Sequence, residues 1–330
     1  MPHDPAPVSV IIPAYNAAAT IGRALASIAR QTLKPAEVIV VDDGSADATV
    51  ETARAMQDSM AGAKLIVISQ ENKGAGAARN RAIAEATGTY LAFLDADDEW
   101  LPEKLERSLQ VLQDGDYLLV AHDYLDTTPS GDQHIDCRKR FEEGPDPYTS
   151  LYLKGYIPSI SVVTRRDAVL AAGGFDETLR NAQDFDLWLK LLADPETRFT
   201  LFGEALARYY HVDGSIMSHT DRRIACCRVL AERYLPALRA RGASGLLNQC
   251  RRFAYIYMEA ANAQPKRKWP YLMRGAVALV GATLGYVSGA GRPETRTSVV
   301  FTAAWVSAVL ALYMLQFKSL AAAILQVFGI

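Results

Sequence analysis

Three aspartates within four positions, Asp95, Asp97 and Asp98, follow the apolar stretch Tyr90–Leu94. Carboxylates packed this closely raise one another's pKa unless a cation neutralises them. A hard divalent ion with oxygen ligands does so, and Mg²⁺ usually brings substrate phosphates with it. The alternative is an acidic helix start, because Asp98 and Glu99 precede a helix predicted over 102–112 and favour its dipole. A second pair opens the turn Asp42-Asp43-Gly44-Ser45, where a carboxylate either recognises a base or ribose or simply caps the turn. Lys73 and Arg79 flank Gly74-Ala75-Gly76-Ala77-Ala78. Small residues there admit a diphosphate and the cations oppose its charge, unless both are solvated residues on an ordinary helix. Asp184, after the turn Gly173-Gly174-Phe175-Asp176, is a helix cap or a general base at the mouth of a site. His211, after Arg208-Tyr209-Tyr210, is a surface histidine or a metal ligand through a neutral ring nitrogen.

These residues need elements to position them. Val8–Pro13, Val38–Val41, Leu65–Ile68 and Tyr90–Leu94 are short, β-branched apolar runs that read as buried strands. Between them lie helical stretches, 18–31 with Ile21, Leu25 and Ile28 on one face, 49–60, and the Ala-rich 74–86. Strands separated by crossovers of a dozen residues or more predict a parallel sheet with helices on its faces. Ligands of such sheets sit outside the carboxyl ends of the strands. Ala14-Tyr15-Asn16, Asp42–Ser45 and Asp95–Asp98 all fall at those ends. Residues 126–150, rich in Pro and Gly, read as a long loop or lid. A strand-like stretch, Ile160–Thr164, and a helix from about Asp184 come next, and 219–263 reads as one or two helices.

The 330 residues carry a formal net charge of −2. That total conceals a division into −13 over 1–220, +9 over 221–274 and +2 over 275–330. The acidic body argues against nucleic-acid binding there, because phosphate recognition needs a positive field. Four cysteines without metal-ligand spacing read as reduced thiols, and Met1–Pro7 shows no leader pattern. Gly275–Gly291 and Ser298–Phe317 lack formal charges, and twenty helical residues span about 30 Å, one bilayer core. Gly281, Gly285 and Gly289 form a small-residue stripe suited to close helix approach. We therefore expect an apolar helical tail that forms a membrane hairpin, or one span with a re-entrant partner, with the basic neck and Trp269 at the headgroup surface; the alternative is a pair of buried helices in a soluble bundle.

Val10-Ile11-Ile12-Pro13-Ala14-Tyr15-Asn16, Val40-Val41-Asp42-Asp43-Gly44-Ser45, Asn72-Lys73-Gly74 with Ala78-Arg79-Asn80, and Phe93-Leu94-Asp95-Ala96-Asp97-Asp98 resemble family 2 of the glycosyltransferases. The resemblance continues through Gly173–Asp176 and Asp184-Phe185-Asp186-Leu187-Trp188 and covers about 7–219. It implies a GT-A fold, α/β and Rossmann-like, with a mixed, mainly parallel sheet and flanking helices, followed by the membrane-associated helical region. The catalytic domain would span 1–220, its nucleotide-sugar half 7–125 and its acceptor half 150–220, with a neck at 221–274 and a tail at 275–330.

By position, the resemblance implies that Pro13, Tyr15, Asp42 and Arg79 line a uracil–ribose pocket, with Asp43 close by and Lys73 near the base or diphosphate. Asp95 would touch ribose or metal, and Asp97 would bind Mn²⁺ or Mg²⁺. Asp184 would be the catalytic base, Gln183 and Trp188 would stand on the acceptor side, and His211 would be a further metal ligand. The family's acidic pair is here Gln183-Asp184, so one carboxylate is missing. Gln249-Cys250-Arg251-Arg252-Phe253 resembles the Gln-x-x-Arg-Trp motif of processive synthases but lies 65 residues beyond Asp184 and ends in Phe, which favours a single transfer.

The expectation is an inverting, metal-dependent enzyme on the cytoplasmic face of the cell membrane. It would move a sugar from a nucleotide sugar, a UDP-sugar, to a glycan or lipid-linked acceptor of a cell-surface polysaccharide. A polyprenyl-phosphate sugar transferase is the first alternative, although its anionic acceptor needs no base. A non-catalytic nucleotide-sugar sensor and a nucleotidyltransferase are the others; the latter would want a basic loop after the first strand, which Pro13–Ala19 does not offer.

Overall fold

A computed structural model describes residues 6–60, 62–144, 146–211 and 219–289. The expected span at Ser298–Phe317 lies outside these residues. The strands are β1 (Ala6–Ala14), β2 (Pro35–Asp42), β3 (Lys64–Ser69), β4 (Tyr90–Phe93), β5 (Glu99–Trp100), β6 (Leu119–Thr128), β7 (Gly131–Ile135), β8 (Val163–Arg165) and β9 (Phe199–Tyr210). The helices are α1 (Ile21–Ala29), α2 (Thr49–Ala55), α3 (Ala75–Glu85), α4 (Lys104–Asp114), α5 (Cys137–Glu142), α6 (Pro147–Lys154), α7 (Arg166–Ala171), α8 (Gln183–Leu191), α9 (Thr220–Arg233), α10 (Leu235–Ala240), α11 (Gly245–Ala263) and α12 (Lys268–Gly289).

One sheet runs β3-β2-β1-β4-β8-β6-β9-β5, with β7 paired to β6. The β3-β2-β1-β4 half is parallel, and β4–β8 and β8–β6 are antiparallel. The parallel strands are covered on both faces, so Val10, Ile11, Ile12, Val38, Ile39, Val40 and Val41 are all fully buried. This is why their sequence runs are continuous rather than alternating. Register places Ala14 beside Asp42 and Ile11 beside Phe93, which aligns the polar strand ends. At the opposite end, Glu37 accepts from the Ser9 hydroxyl and the Thr87 backbone N–H, both at 2.6 Å, and ties β1, β2 and the approach to β4 together.

The described residues fall into two compact units, those within Met1–Pro147 and Tyr156–Ser218, and those within Tyr148–Gly155 and 219–289. The first contains the sheet. In the second, Tyr152 donates to the Ala231 carbonyl at 2.7 Å and Arg252 to the Leu153 carbonyl at 2.8 Å, which attaches residues 148–155 to α9 and α11.

Two expectations, those for 126–150 and 219–263, are corrected. Residues 126–150 are not a loop: β6 and β7 form a hairpin and α5 and α6 follow. Buried Asp123 organises this segment by accepting from the Cys137 and Arg138 backbone N–H groups and bonding His134 Nε2. The stretch 219–263 is three helices. Gly275–Gly289 belongs to α12, which begins at Lys268 and includes Arg274. Among the described residues no helix is long and apolar enough to cross a membrane. Gly281 meets no neighbouring atom within 4 Å of where a side chain would start, so its part of the small-residue stripe is open.

Candidate active site

The first wall of the site is built at the ends of β1 and β2. Pro13 is buried within β1, while Tyr15, one step past its end, is 55% exposed. Asn16 takes a left-handed conformation (φ +48°), which Asn tolerates. Its backbone N–H donates to the Ser45 hydroxyl at 2.8 Å and its amide oxygen accepts from the Ala46 N–H at 2.9 Å. Gly44 (φ +77°) is required here, because a Cβ would stand 3.0 Å from the Asn72 nitrogen.

Asp42 and Asp43 are both buried but do different work. Asp42 accepts a long bond from the Ser45 N–H at 3.4 Å. Asp43 accepts from Gln70 Nε2 and the Lys73 and Gly74 backbone N–H groups at 2.7–2.9 Å. Its carboxylate is therefore spent on holding loop 70–74 against β2, which leaves the Lys73 side chain exposed above it.

The second wall joins α3 to the acidic triplet. Arg79, 7% exposed, donates to Asp95 Oδ1 at 2.6 Å and lies 5.3 Å from the Phe175 ring centre. Its Nε has no partner. Burial, and then the adjacent Asp95 charge, push the Asp97 carboxyl up to about 6. Asp98 is fully buried: Oδ1 accepts from the Tyr210 N–H at 2.9 Å and Oδ2 has no partner. Burial, Asp95 and Asp97 raise its pKa well above the ordinary carboxylate range. Arg23 of α1 reaches in, donates to the Asp97 carbonyl and stacks 3.8 Å over the Tyr210 ring.

The third wall is the start of α8. Asp184 is partly buried, accepts from the Phe185 N–H at 2.8 Å and from the Ser159 hydroxyl at 3.2 Å. Burial raises its pKa, Arg79 opposes the shift, and Asp95 adds to it. Asp184 thus lies in the electrostatic field of the same Arg79–Asp95 pair that borders Asp97. Ala182 before it is left-handed (φ +58°), a strain of about 1–3 kcal/mol for a residue with a Cβ.

Asn80 clamps this wall to α3. Its side chain accepts from the Phe175 N–H at 2.8 Å and donates to the Phe175 carbonyl at 2.9 Å and to Glu177 at 2.8 Å.

Two acceptor-side expectations change. Gln183 donates to the Leu179 carbonyl at 2.7 Å and packs by Gly76, so its amide nitrogen is engaged within the turn. Trp188 is fully buried, with ring centres 5.5 Å from Phe93 and 6.4 Å from Phe175. It supports the floor from beneath and presents no face to an acceptor.

His211 is exposed and pairs with Asp126 at 2.6 Å, so its Nε2 is directed to β6 and not to the triplet. Among the described residues no group of three His, Cys, Asp or Glu side chains could hold a metal by itself. Asp95 and Asp97, with the unpartnered Asp98 Oδ2 behind them, still fit a hard cation whose other ligands are phosphate oxygens.

Sequence reasoning gave no role to Arg23, Asn80 or Ser159. Arg23 stood out as a lone cation on a helix of small and apolar residues, and Asn80 stood in a family-like motif without an assigned role. The exposed Arg180 guanidinium also approaches the loop, 4.0 Å from where a Gly74 Cβ would be.

Residues 9–166 match the family model described as glycosyl transferase family 2. The amylovoran biosynthesis glycosyltransferase AmsB of Erwinia amylovora is 34% identical over 214 residues, 62% of this chain and 69% of that protein. Alignments with eight curated relatives span from 34% to 82% of those proteins' lengths. S. aureus TarS 1–349, solved with UDP-GlcNAc, shares the fold at TM-score 0.61 and 20% identity, over 92% of this chain and 86% of that one. The mannosyltransferase PcManGT from Pyrobaculum calidifontis, solved with GDP-Man and Mn²⁺, does so at TM-score 0.59 and 20% identity, over 99% and 90%. The parallel sheet with its acids at the strand ends, the family match and the relationship to AmsB together establish that the chain belongs to family 2 of the glycosyl transferases.

Proposed function

We propose that this glycosyltransferase uses a nucleotide sugar, a UDP-sugar, and adds one sugar to a hydroxyl of a glycan or lipid-linked acceptor in polysaccharide synthesis, at the cytoplasmic face of the cell membrane. The observation that carries the proposal is the convergence of Asp184, Arg79, Asp95 and Asp97. A carboxylate with an elevated pKa stands beside a cation-and-acid cluster suited to a diphosphate. AmsB is named for amylovoran biosynthesis, and TarS was solved with UDP-GlcNAc, which supports the acceptor class and the donor class.

In this reading the acceptor oxygen bonds to the anomeric carbon as the bond from that carbon to the diphosphate oxygen breaks, and the configuration inverts. The proton of the acceptor hydroxyl goes to Asp184. An elevated pKa makes the Asp184 carboxylate a stronger base than an exposed one. Arg79 holds Asp95 in place and adds positive charge beside the leaving diphosphate. Mn²⁺ or Mg²⁺, held by Asp97 and Asp95, would supply further positive charge to that leaving group.

The test is a screen of UDP- and GDP-sugars with Mn²⁺, Mg²⁺ or a chelator, following release of the nucleoside diphosphate and assigning the product anomer by NMR. UDP release that the chelator abolishes, with an inverted product, is expected. Release that survives the chelator overturns the metal role, and a retained anomer overturns the single displacement.

A further inference from the structure

The second unit carries a groove unrelated to the sheet. It has a volume of about 820 Å³ and lies between α9–α10, α11 and α12. Its floor is aromatic, Phe253 and Tyr257, both only 2% exposed. One wall is α12, where Met273 and Val277 line the groove and are 56% and 70% exposed. With Trp269 and Val280 they form an apolar stripe at helical spacing that is left open to solvent. Such a stripe marks an interaction surface.

The rim is cationic. Arg228, Arg239 and Arg274 line the groove against one carboxylate, Glu232. Arg274 is bonded to Asp221 and sits 6.0 Å from the Tyr257 ring centre. Arg228 lies 5.6 Å from the Phe253 ring centre. Among the described residues neither Arg228 nor Arg239 has a carboxylate within ion-pair distance. The segment 221–274 around them carries a net +9.

We propose that this groove binds one anionic membrane phospholipid, the headgroup phosphate between Arg228 and Arg239 and the first part of an acyl chain along Met273 and Val277. The charge of the rim and the apolarity of the wall select that occupant together. A nucleic acid would gain nothing from the apolar wall, and an uncharged lipid nothing from the arginines. The site rests on, and extends, the membrane-face reading of the enzyme.

Native mass spectrometry of the full chain in a non-ionic detergent tests this, with palmitoyl-oleoyl phosphatidylglycerol and phosphatidylcholine as probes. The expected result is one retained phosphatidylglycerol per chain, preferred at least about tenfold over phosphatidylcholine. The double variant Arg228→Gln/Arg239→Gln, and separately Val277→Glu, should reduce that retention about tenfold. Both change exposed positions, so UDP release and the thermal melt should be unaltered, which separates failure of the lipid site from failure of the enzymatic reading. Equal retention of the two lipids, retention unchanged in the double variant, or a dimer that carries no lipid would each overturn the proposal.

Discussion

At the scale of the residue, the proposed reaction divides its chemistry between Asp97, for charge neutralisation, and Asp184, for proton removal. Asp184→Asn keeps the shape and the Oδ1 acceptor for the Phe185 N–H, with the new amide nitrogen donating to the Ser159 hydroxyl, but removes the proposed base. Transfer should fall about 10²- to 10⁴-fold, while UDP binding followed by calorimetry stays within about twofold. A fully active variant would rule out the base. Asp97→Ala should behave differently, losing Mn²⁺-dependent donor binding as well as turnover in the same pair of measurements. Asp43 differs from both, because three donors from residues 70–74 already engage its two oxygens. The neighbouring aspartates of the Asp42-Asp43 turn look equivalent in the sequence, and their hydrogen bonds make them unlike.

At the scale of the element, the site depends on how α3 is fastened to the Gly173-Gly174-Phe175 turn. Asn80 is the fastener, and Gly174 (φ +71°) leaves room for it, since a Cβ there would be 2.5 Å from Asn80 Oδ1. Asn80→Ala orphans the Phe175 N–H and carbonyl and should cost about 1–3 kcal/mol in urea denaturation. Gly174→Ala adds a clash to a strained backbone and should cost at least as much, about 1–3 kcal/mol from strain alone. Both should also lower turnover, because Phe175 carries the Arg79 guanidinium and buttresses Trp188. Buried apolar runs made the four parallel strands legible. The β6–β7 hairpin was not, because β7 (Gly-Asp-Gln-His-Ile) is exposed and polar, and turn residues on both sides of it resemble a loop.

At the scale of the whole molecule, the half of the sheet behind the site contains an ionisable pair that no local pattern announces. His122 on β6 and Lys104 on α4 are both fully buried. Lys104 Nζ donates to the Val162 carbonyl at 3.2 Å and sits 4.2 Å from the Trp100 ring centre. Burial, and then the nearby Lys104 charge, push the His122 pKa down to about 3. Unfolded His122 binds its proton near pH 6.5, so between 6.5 and 3 the unfolded chain holds a proton that the folded chain lacks. Stability is full above that window and falls with pH, by about 1.4 kcal/mol per unit from this one group. The raised carboxyls of Asp97, Asp98 and Asp184 act with the opposite sign. Comparing melting temperatures from pH 7 to 4 for the wild type and His122→Gln isolates the histidine, and the variant should lose less stability on acidification.

The parallel half of the sheet and its three polar ends were legible in the amino acids because burial on both faces writes a continuous apolar run with polar residues just past it, and the family was legible only through the resemblance of the motifs at those ends. Tertiary structure alone decided which of those residues remain available. It spent Asp43 on a loop, sank Trp188 beneath the floor, turned His211 toward Asp126 and brought Asn80 to a turn 95 positions away. Such bonds join residues whose separation along the chain has no period, so only the packed molecule reveals them.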